Sequence, residues 1–551
     1  MPAQRLAQLE RWFLRIGLFL LPLAYWWGTY DRYVLPKMLV ARLLVLGLLA
    51  FYLARTLTTR TLVVKRTPLD LPWLAFLASA LLSTFFAENQ NVAVFGIYSR
   101  YDGLLTIATY AAVFWLSVQA LDGPDDARAL LRVLLVSGYA VALIAILVCI
   151  ADSMRLGAFE PAFGTLGHKN VLGEFMVLVC PLAYWELVAA RSWSPRILAA
   201  NALAVCGLAL YLTNSRSAWV AAIAAALVVA VAVRGPGLRA AIAGVAAVAL
   251  VVGAIAALTA SQPQRIALND AGERPGIWRD SVMLIASRPL TGYGPDSFGM
   301  VFPRFQDRQF LQQLDKAHAE TLQIASTQGV LGLAAYLLLL IAFIRAFWRG
   351  RLMPGAYAVM AGWIGYTAAV QVNFSALAAA FPFWIFAAAA METWGATHVV
   401  RTWNLPRGRA VAVVGSIATV AMLVVGAAGT ALPNLADASL LEAVNADFSG
   451  RSGDALAPAR LAREIWPRES VYAVEVANIA FERGDSAAAR EAYAGAASLG
   501  TYNALVYRNL ALADRNLGRI DEARVAARKA VELDRFDPAN RALLAQFGAA
   551  P

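Results

Sequence analysis

Apolar stretches long enough to cross a lipid bilayer occupy most of the first three-quarters of this 551-residue chain. A membrane-spanning α-helix needs about 20 consecutive apolar residues. Thirteen such stretches lie near 13–29, 34–55, 69–86, 103–121, 130–151, 170–190, 197–214, 217–233, 239–259, 328–346, 355–375, 379–398 and 410–431. Because 60% of the residues are hydrophobic and 15% are charged, an ordinary soluble protein is excluded. We predict an all-α, polytopic membrane protein of about 13 transmembrane helices.

The basic residues predict how the chain is oriented. The short loops that are rich in Arg and Lys lie around 55–66, 191–196, 234–239, 345–351 and 401–409. The positive-inside rule assigns them to the cytoplasm, and this topology explains the formal charge of +11 better than nucleic-acid binding does. The N-terminus is then cytoplasmic and is expected to be a retained anchor. The acidic segment 122–128 fits this orientation poorly.

An odd number of crossings places two large segments on the external face of an inner (plasma) membrane, which is periplasmic or extracellular. The first is a polar loop at about 261–328, within a transmembrane domain at 1–432. The second is a soluble domain at 433–551, where 484–492 aligns with 518–526 at an offset of 34 residues, the period of tetratricopeptide repeats. We expect a TPR-like helical repeat whose concave face binds a protein partner, or a capping stack without a ligand.

The loop 261–328 is too long for a simple helix connection, which favours a functional role. Its seven basic and seven acidic residues balance. An anion bound there must therefore be held by particular arginines and not by a general basic patch. The alternative is that these arginines form surface ion pairs.

Four segments on the predicted external face carry recognisable motifs. They are Gly-Thr-Leu-Gly-His-Lys-Asn at 164–170, Ser-Arg-Ser-Ala at 215–218, Arg-Pro-Gly-Ile-Trp followed by Pro-Leu-Thr-Gly-Tyr-Gly within 274–298, and Ala-His-Ala-Glu followed by Gly-Val-Leu-Gly-Leu within 317–333. Together they resemble the O-antigen ligase and O-antigen polymerase superfamily over about residues 90–400. The family's histidine is commonly followed by Asn or Ser, whereas Ala319 stands here.

The resemblance implies transfer of a glycan from an undecaprenyl-diphosphate carrier to an acceptor hydroxyl, without a metal. Guanidinium groups suit a diphosphate because they bind it bidentately and stay charged. Arg216 and Arg274 are the main candidates, the latter at the start of a predicted helix. Arg216 lies in a short connection near the bilayer surface, where a snorkelling anchor is the alternative. Arg100 and Lys169 are further candidates for donor binding, each of which could instead be interfacial.

His318 is the candidate general base, because its unperturbed pKa lies nearest neutrality. If 317–328 is helical, Glu320 lies roughly 200° around the axis from His318, so one of the two residues acts as the base. Asp315, three residues before His318, would orient the imidazole if the helix starts early enough to include it. A structural histidine is the alternative. Further residues expected to support the site are Asn170, Trp278 and Arg288.

Several readings stay open at this point. Ligation to a lipid core, polymerisation of repeat units and transfer to protein Ser/Thr need nearly the same donor site. A lipid-linked glycan transporter could use Lys37 or Arg42 in the second span, although transporters usually collect such residues near mid-membrane. A membrane scaffold would leave Arg274 and His318 unexplained. Three cysteines in apolar runs predict neither a zinc site nor a disulfide, and the external loops lack an Asp-x-Asp pair.

Overall fold

The computed structural model describes residues 3–232, 273–310, 313–406 and 409–548, and its regular structure is almost entirely helical. The helices before the long loop are α1 (Ala3–Leu20), α2 (Val34–Thr59), α3 (Asp70–Phe85), α4 (Gln90–Phe95), α5 (Leu104–Ala120), α6 (Pro124–Leu156), α7 (Lys169–Ala189), α8 (Trp193–Leu212) and α9 (Arg216–Ala232). Those that follow are α10 (Arg274–Ser287), α11 (Phe298–Val301), α12 (Glu320–Gly350), α13 (Ala356–Gln371), α14 (Leu377–Thr393) and α15 (Arg409–Phe448). Short 3₁₀ turns lie at Gly164–Leu166 and Phe302–Arg304.

Six of the described helices, α2, α6, α7, α8, α12 and α15, are long and apolar enough to cross a membrane. Four shorter apolar helices, α3, α5, α9 and α14, accompany them. The protein is therefore a multi-pass, mainly helical membrane protein. The total of about 13 crossings stays a prediction. The predicted span near 239–259 and the beginning of the loop 261–328 lie outside the described residues.

Helix α14 forms the centre of the bundle. Nearly all of its residues are buried, as expected of a helix that is apolar on every side. Its aromatic rings pack on neighbouring helices. Between ring centroids, Phe383 stacks on Tyr366 of α13 at 4.1 Å, and Phe381 meets Tyr110 of α5 edge-on at 4.6 Å. Helix α3, by contrast, exposes Leu71 on its outer face, as a lipid-facing helix does.

A two-stranded antiparallel sheet closes one end of the bundle, an exception to the all-α prediction. Strand β1 (Thr61–Arg66) pairs with β2 (His398–Asn404), and both coincide with loops that we predict to be basic and cytoplasmic. Their β-branched residues favour extended structure once a partner strand is near.

At the acidic segment 122–128, Asp126 forms ion pairs with Arg11 at 3.2 Å and Arg15 at 2.7 Å. These contacts explain how acidic residues are accommodated there.

The opposite end of the bundle carries the polar loops, and Lys37 ties them together. Its fully buried ammonium donates hydrogen bonds to the carbonyls of Ala24 at 2.7 Å, Tyr33 at 3.0 Å and Thr165 at 2.5 Å. A buried charge is tolerated when its donors are satisfied in this way. Lys37 therefore serves as a structural connection, which disfavours the reading in which it lines a transport pathway.

The C-terminal helices are α16 (Ser452–Ile465), α17 (Ser470–Glu482), α18 (Ser486–Leu499), α19 (Ala504–Asn516), α20 (Ile520–Leu533) and α21 (Pro538–Gln546). Their starts repeat every 34 residues, as 452, 486 and 520 for one series and 470, 504 and 538 for the other. This spacing matches the predicted period, while the TPR-like assignment itself stays a prediction. The predicted boundary at 432/433 falls inside the continuous helix α15.

The C-terminal helices dock on the polar end of the bundle. Arg304 of the long loop pairs with Glu88 at 2.6 Å and with Glu532 of α20 at 2.5 Å. Tyr98 donates a hydrogen bond to Asp437 of α15 at 2.5 Å. The long loop and the C-terminal domain therefore share one end of the molecule.

Gly329 breaks helix α12 with a left-handed φ of +69°. A Cβ there would lie 2.2 Å from the carbonyl oxygen of Leu290, which is backbone and cannot easily move. We predict that Gly329→Ala lowers the free energy of unfolding by roughly 1–3 kcal/mol. Thermal unfolding in detergent, followed by tryptophan fluorescence, measures it. The matched control is Gly207→Ala in α8, where the added Cβ meets no described atom within 4 Å. Equal midpoints for the two variants would contradict the prediction.

Candidate active site

The segment before α12 departs from the predicted helix at 317–328. Helix α12 begins at Glu320, since His318 has a left-handed φ of +50° and Ala319 is extended. The premise that His318 and Glu320 lie on opposite faces of one helix is therefore wrong. The prediction that Asp315 orients the imidazole through helical spacing depends on the same helix, so its premise is also wrong. His318 lies in a loop, and Glu320 is the first residue of the helix that follows.

Five of the ten predicted site residues contact residues 372–375, between α13 and α14, which we name the α13–α14 loop. The carbonyl of Val372 accepts a hydrogen bond from Nη1 of Arg274. The side chain of Asn373 accepts one from Asn170 at 3.4 Å and donates one to Glu174 at 2.6 Å.

The second half of the α13–α14 loop reaches the candidate bases. The ring of Phe374 lies 5.4 Å from the ring of His318, between centroids, and 5.0 Å from the guanidinium carbon of Arg100. The backbone N–H of Ser375 donates to the carboxylate of Glu320 at 3.0 Å. Arg100, His318 and Glu320 are therefore neighbours, although 220 positions separate the first from the last in sequence.

His318 is half-buried, and the surrounding elements hold its backbone. The indole N–H of Trp278 in α10 donates to the carbonyl of His318 at 3.3 Å. Trp278 therefore contacts the candidate base directly, while its supporting role stays a prediction.

Asp315 forms an ion pair with Arg100 at 2.5 Å. Burial alone would lower the pKa of Arg100, but the charge and hydrogen bond of Asp315 outweigh it and raise the pKa above its usual value. Arg100 thus stays cationic in a half-buried position. The pair joins the segment between α4 and α5 to the loop that carries His318.

Lys169, Arg216 and Arg274 each occupy the first position of a helix, respectively α7, α9 and α10. The starts of α7 and α9 are held together, because the hydroxyl of Ser215 donates to Asn170 at 2.9 Å. The side chain of Arg216 is exposed. The starts of α10 and α7 contact the α13–α14 loop through Arg274 and Asn170, and the start of α9 is joined to that of α7. A basic residue thus stands at each of three helix N-termini, where the helix dipole also favours anions.

Arg288 does not join this group. It lies beyond the C-terminal end of α10, a 14-residue helix of about 20 Å that starts at Arg274. Its guanidinium donates to the carbonyl of Phe86 at 3.3 Å and lies 4.7 Å from the ring centre of Tyr293. These contacts point to a packing role for Arg288.

Several residues of the site escape the sequence reasoning. The α13–α14 loop falls within the predicted span 355–375. Its polar Asn and Ser residues, which lie between two apolar runs, could have indicated a break between two helices. Glu174 is a fully buried acid inside a membrane span, a pattern that by default suggests function. Beneath the loop lies a cavity of about 120 Å³, lined mainly by apolar and aromatic side chains, with Glu320, Lys316 and Ser375 among its polar lining.

Within the described ranges, no cluster of three or more His, Cys, Asp or Glu side chains is arranged to hold a metal ion. The charged groups of the site are instead arginines, lysines and single carboxylates.

Residues 201–337 match the family model of O-antigen ligase. The match supports the O-antigen ligase superfamily and a membrane glycan-transfer role. It includes Arg216, Arg274, His318 and Glu320, whereas Arg100 and the α13–α14 loop lie outside it. No curated protein matches the chain.

The contact between Asn373 and Glu174 generates a prediction about stability. Asn373→Leu leaves a buried carboxyl group without this hydrogen bond, which we expect to lower the free energy of unfolding by about 1–3 kcal/mol. Removing both partners by combining Asn373→Leu with Glu174→Leu is expected to recover part of the loss. Thermal unfolding of the two single variants and the double variant gives the coupling. Additive losses would contradict a direct interaction.

Proposed function

We propose that this protein transfers a glycan from an undecaprenyl-diphosphate donor to an acceptor hydroxyl on the external face of the inner (plasma) membrane. The observation that carries the proposal is the meeting of Arg100, Arg274, His318 and Glu320 on the α13–α14 loop. The O-antigen ligase match supports the reaction class. The basic β1–β2 end, opposite the site, supports the external location.

The donor's diphosphate would bind at the starts of α7, α9 and α10, where Lys169, Arg216 and Arg274 supply positive charge. Its polyprenyl tail would remain among the apolar helices. As the bond between the anomeric carbon and the diphosphate oxygen breaks, negative charge grows on the diphosphate. Guanidinium groups that are already in place stabilise this charge without a metal.

The acceptor oxygen attacks the anomeric carbon from the face opposite the diphosphate, so the configuration inverts. The new glycosidic bond forms, the carrier leaves as undecaprenyl diphosphate, and the acceptor's proton passes to a base. We assign His318 as this base, because its half-buried ring packs against Phe374, which Arg100 also contacts. Glu320, whose carboxylate already accepts the Ser375 N–H, is the alternative base.

The C-terminal domain docks next to the site through Arg304 and Asp437. This position favours an acceptor or partner that the domain can hold, and a TPR-like repeat would bind a protein segment. Transfer to protein Ser/Thr is therefore a candidate alongside ligation to a lipid core and polymerisation of repeat units. All three use the same donor chemistry.

Purified protein in lipid vesicles, given a fluorescent undecaprenyl-diphosphate oligosaccharide and each acceptor class in turn, tests the proposal. We expect labelled product together with free undecaprenyl diphosphate. Movement of the donor across the vesicle membrane without release of carrier would indicate a transporter and contradict the proposal.

Variants separate binding from chemistry. We expect Arg274→Ala and Arg216→Ala to weaken donor binding and to lower transfer by at least about 10-fold, the loss of one charge-assisted contact. His318→Ala should lower turnover by about 10²–10⁴-fold while donor affinity is retained. The control is Arg279→Ala on the exposed side of α10, where Arg279 pairs with Asp307. Wild-type transfer by Arg274→Ala and His318→Ala would remove these residues from the site.

A further inference from the structure

The backbone of His318 adopts a conformation that an L-residue rarely takes, with φ of +50°. Such a conformation persists when the surrounding contacts fix it. The segment 315–318 is fixed at each residue by a partner from another part of the chain. Asp315 pairs with Arg100, Lys316 with two carboxylates, Ala317 N–H with the side chain of Gln323 at 2.8 Å, and the carbonyl of His318 with Trp278.

The ion pairs of Lys316 are more deeply buried than the pair between Asp315 and Arg100. Its ammonium lies 2.7 Å from Oδ2 of Asp102 and 2.9 Å from Oδ1 of Asp296, with Lys316 only 2% and Asp296 only 3% exposed. The other carboxylate oxygen of Asp296 accepts the backbone N–H groups of Ile97 at 2.8 Å and Asp102 at 3.2 Å. The ion cluster therefore joins three stretches of chain that are distant in sequence.

The ammonium has little freedom to move. Displacing it would leave two carboxylates in a buried position without their counter-ion, which is strongly unfavourable. Burial alone would lower the pKa of Lys316, but Asp102 and Asp296 together raise it above its usual value, so the cation persists. A fixed Lys316 fixes the peptide two residues before His318.

We propose that Lys316, clamped by Asp102 and Asp296, is a positioning residue that holds His318 against Phe374 in the orientation needed for proton transfer. The inference rests on the proposed function, in which His318 is the base. Lys316 acts through the backbone and through Ala317. It should therefore affect turnover much more than donor affinity.

The first experiment measures transfer and donor binding for Lys316→Met and Lys316→Arg in vesicles. We expect Lys316→Met to lower turnover at least 10-fold with donor affinity changed less than 3-fold, and Lys316→Arg to recover most of the rate. The matched control is Arg279→Met, which removes an exposed ion pair with Asp307 from the same region. Equal losses of affinity and turnover, or equal losses in both Lys316 variants, would overturn the inference.

The second experiment needs no activity and therefore separates a failure of this inference from a failure of the proposed function. Diethyl pyrocarbonate modifies accessible imidazoles, and mass spectrometry reports the rate at each histidine. His318 packs on Phe374, whereas His398 at the opposite end is exposed and serves as the internal reference. We expect Lys316→Met to speed modification of His318 at least 3-fold relative to His398, while Lys316→Arg and Arg279→Met do not.

An unchanged His318 rate in correctly folded Lys316→Met would overturn the positioning role. If Lys316→Met does not fold, Asp102→Asn and Asp296→Asn, which weaken the clamp without removing the ammonium, take its place with the same expected acceleration. Absence of transfer by the wild-type protein, together with the predicted labelling, would reject the proposed function and leave the clamp intact.

Discussion

Polar groups that enter a bundle surrounded by lipid must find their partners inside the protein, because the hydrocarbon offers none. The α13–α14 loop is where this constraint is met. Its backbone and side chains satisfy Arg274, Asn170, Glu174 and Glu320 within four residues. The charged end of the bundle can therefore stay polar and yet ordered.

The same requirement explains the ion pairs and hydrogen bonds around the loop. Lys37 satisfies three carbonyls, and Lys316 satisfies two carboxylates. The contacts of Lys37 with Thr165 and of Lys316 with Asp102 join segments that are distant in sequence, so the folded bundle is needed to assemble the site. The C-terminal domain adds Glu532, which pairs with Arg304 of the long loop, and Asp437, which accepts a hydrogen bond from Tyr98, as further connections on the same end.

Sequence reasoning captured the parts of this architecture that depend on local patterns. Apolar length predicted a multi-pass helical membrane protein, in agreement with the six described helices that are long and apolar enough to cross a membrane. The 34-residue offset agrees with the starts of the C-terminal helices. The predictions were wrong where tertiary contacts override the local secondary-structure preference of the chain. The residues before Glu320 were predicted to be helical, but the partners of Lys316 and of the His318 carbonyl hold them extended or left-handed. Likewise, the sequences of β1 and β2 each predict a basic loop, and the two segments form strands because they pair with each other.

The same distinction between local sequence patterns and tertiary contacts applies to the candidate site. Arg274 and His318 are recognisable from their motifs, whereas Asn373 and Phe374 acquire significance once the fold places them between the candidates. Arg288 belongs to a motif but lies at the far end of α10. Membership of a motif therefore predicts which segments form the candidate site more reliably than it predicts which individual side chains come into contact there.

The central claim is that one lipid-linked diphosphate binds between the starts of α7, α9 and α10 beside His318. An experimental structure with a bound undecaprenyl-diphosphate sugar analogue tests it most directly. The account predicts the diphosphate in contact with Arg274 and at least one of Arg216 and Lys169, with the anomeric carbon facing His318. A diphosphate bound elsewhere, or one that leaves His318 on the other side of the protein from the sugar, would contradict it.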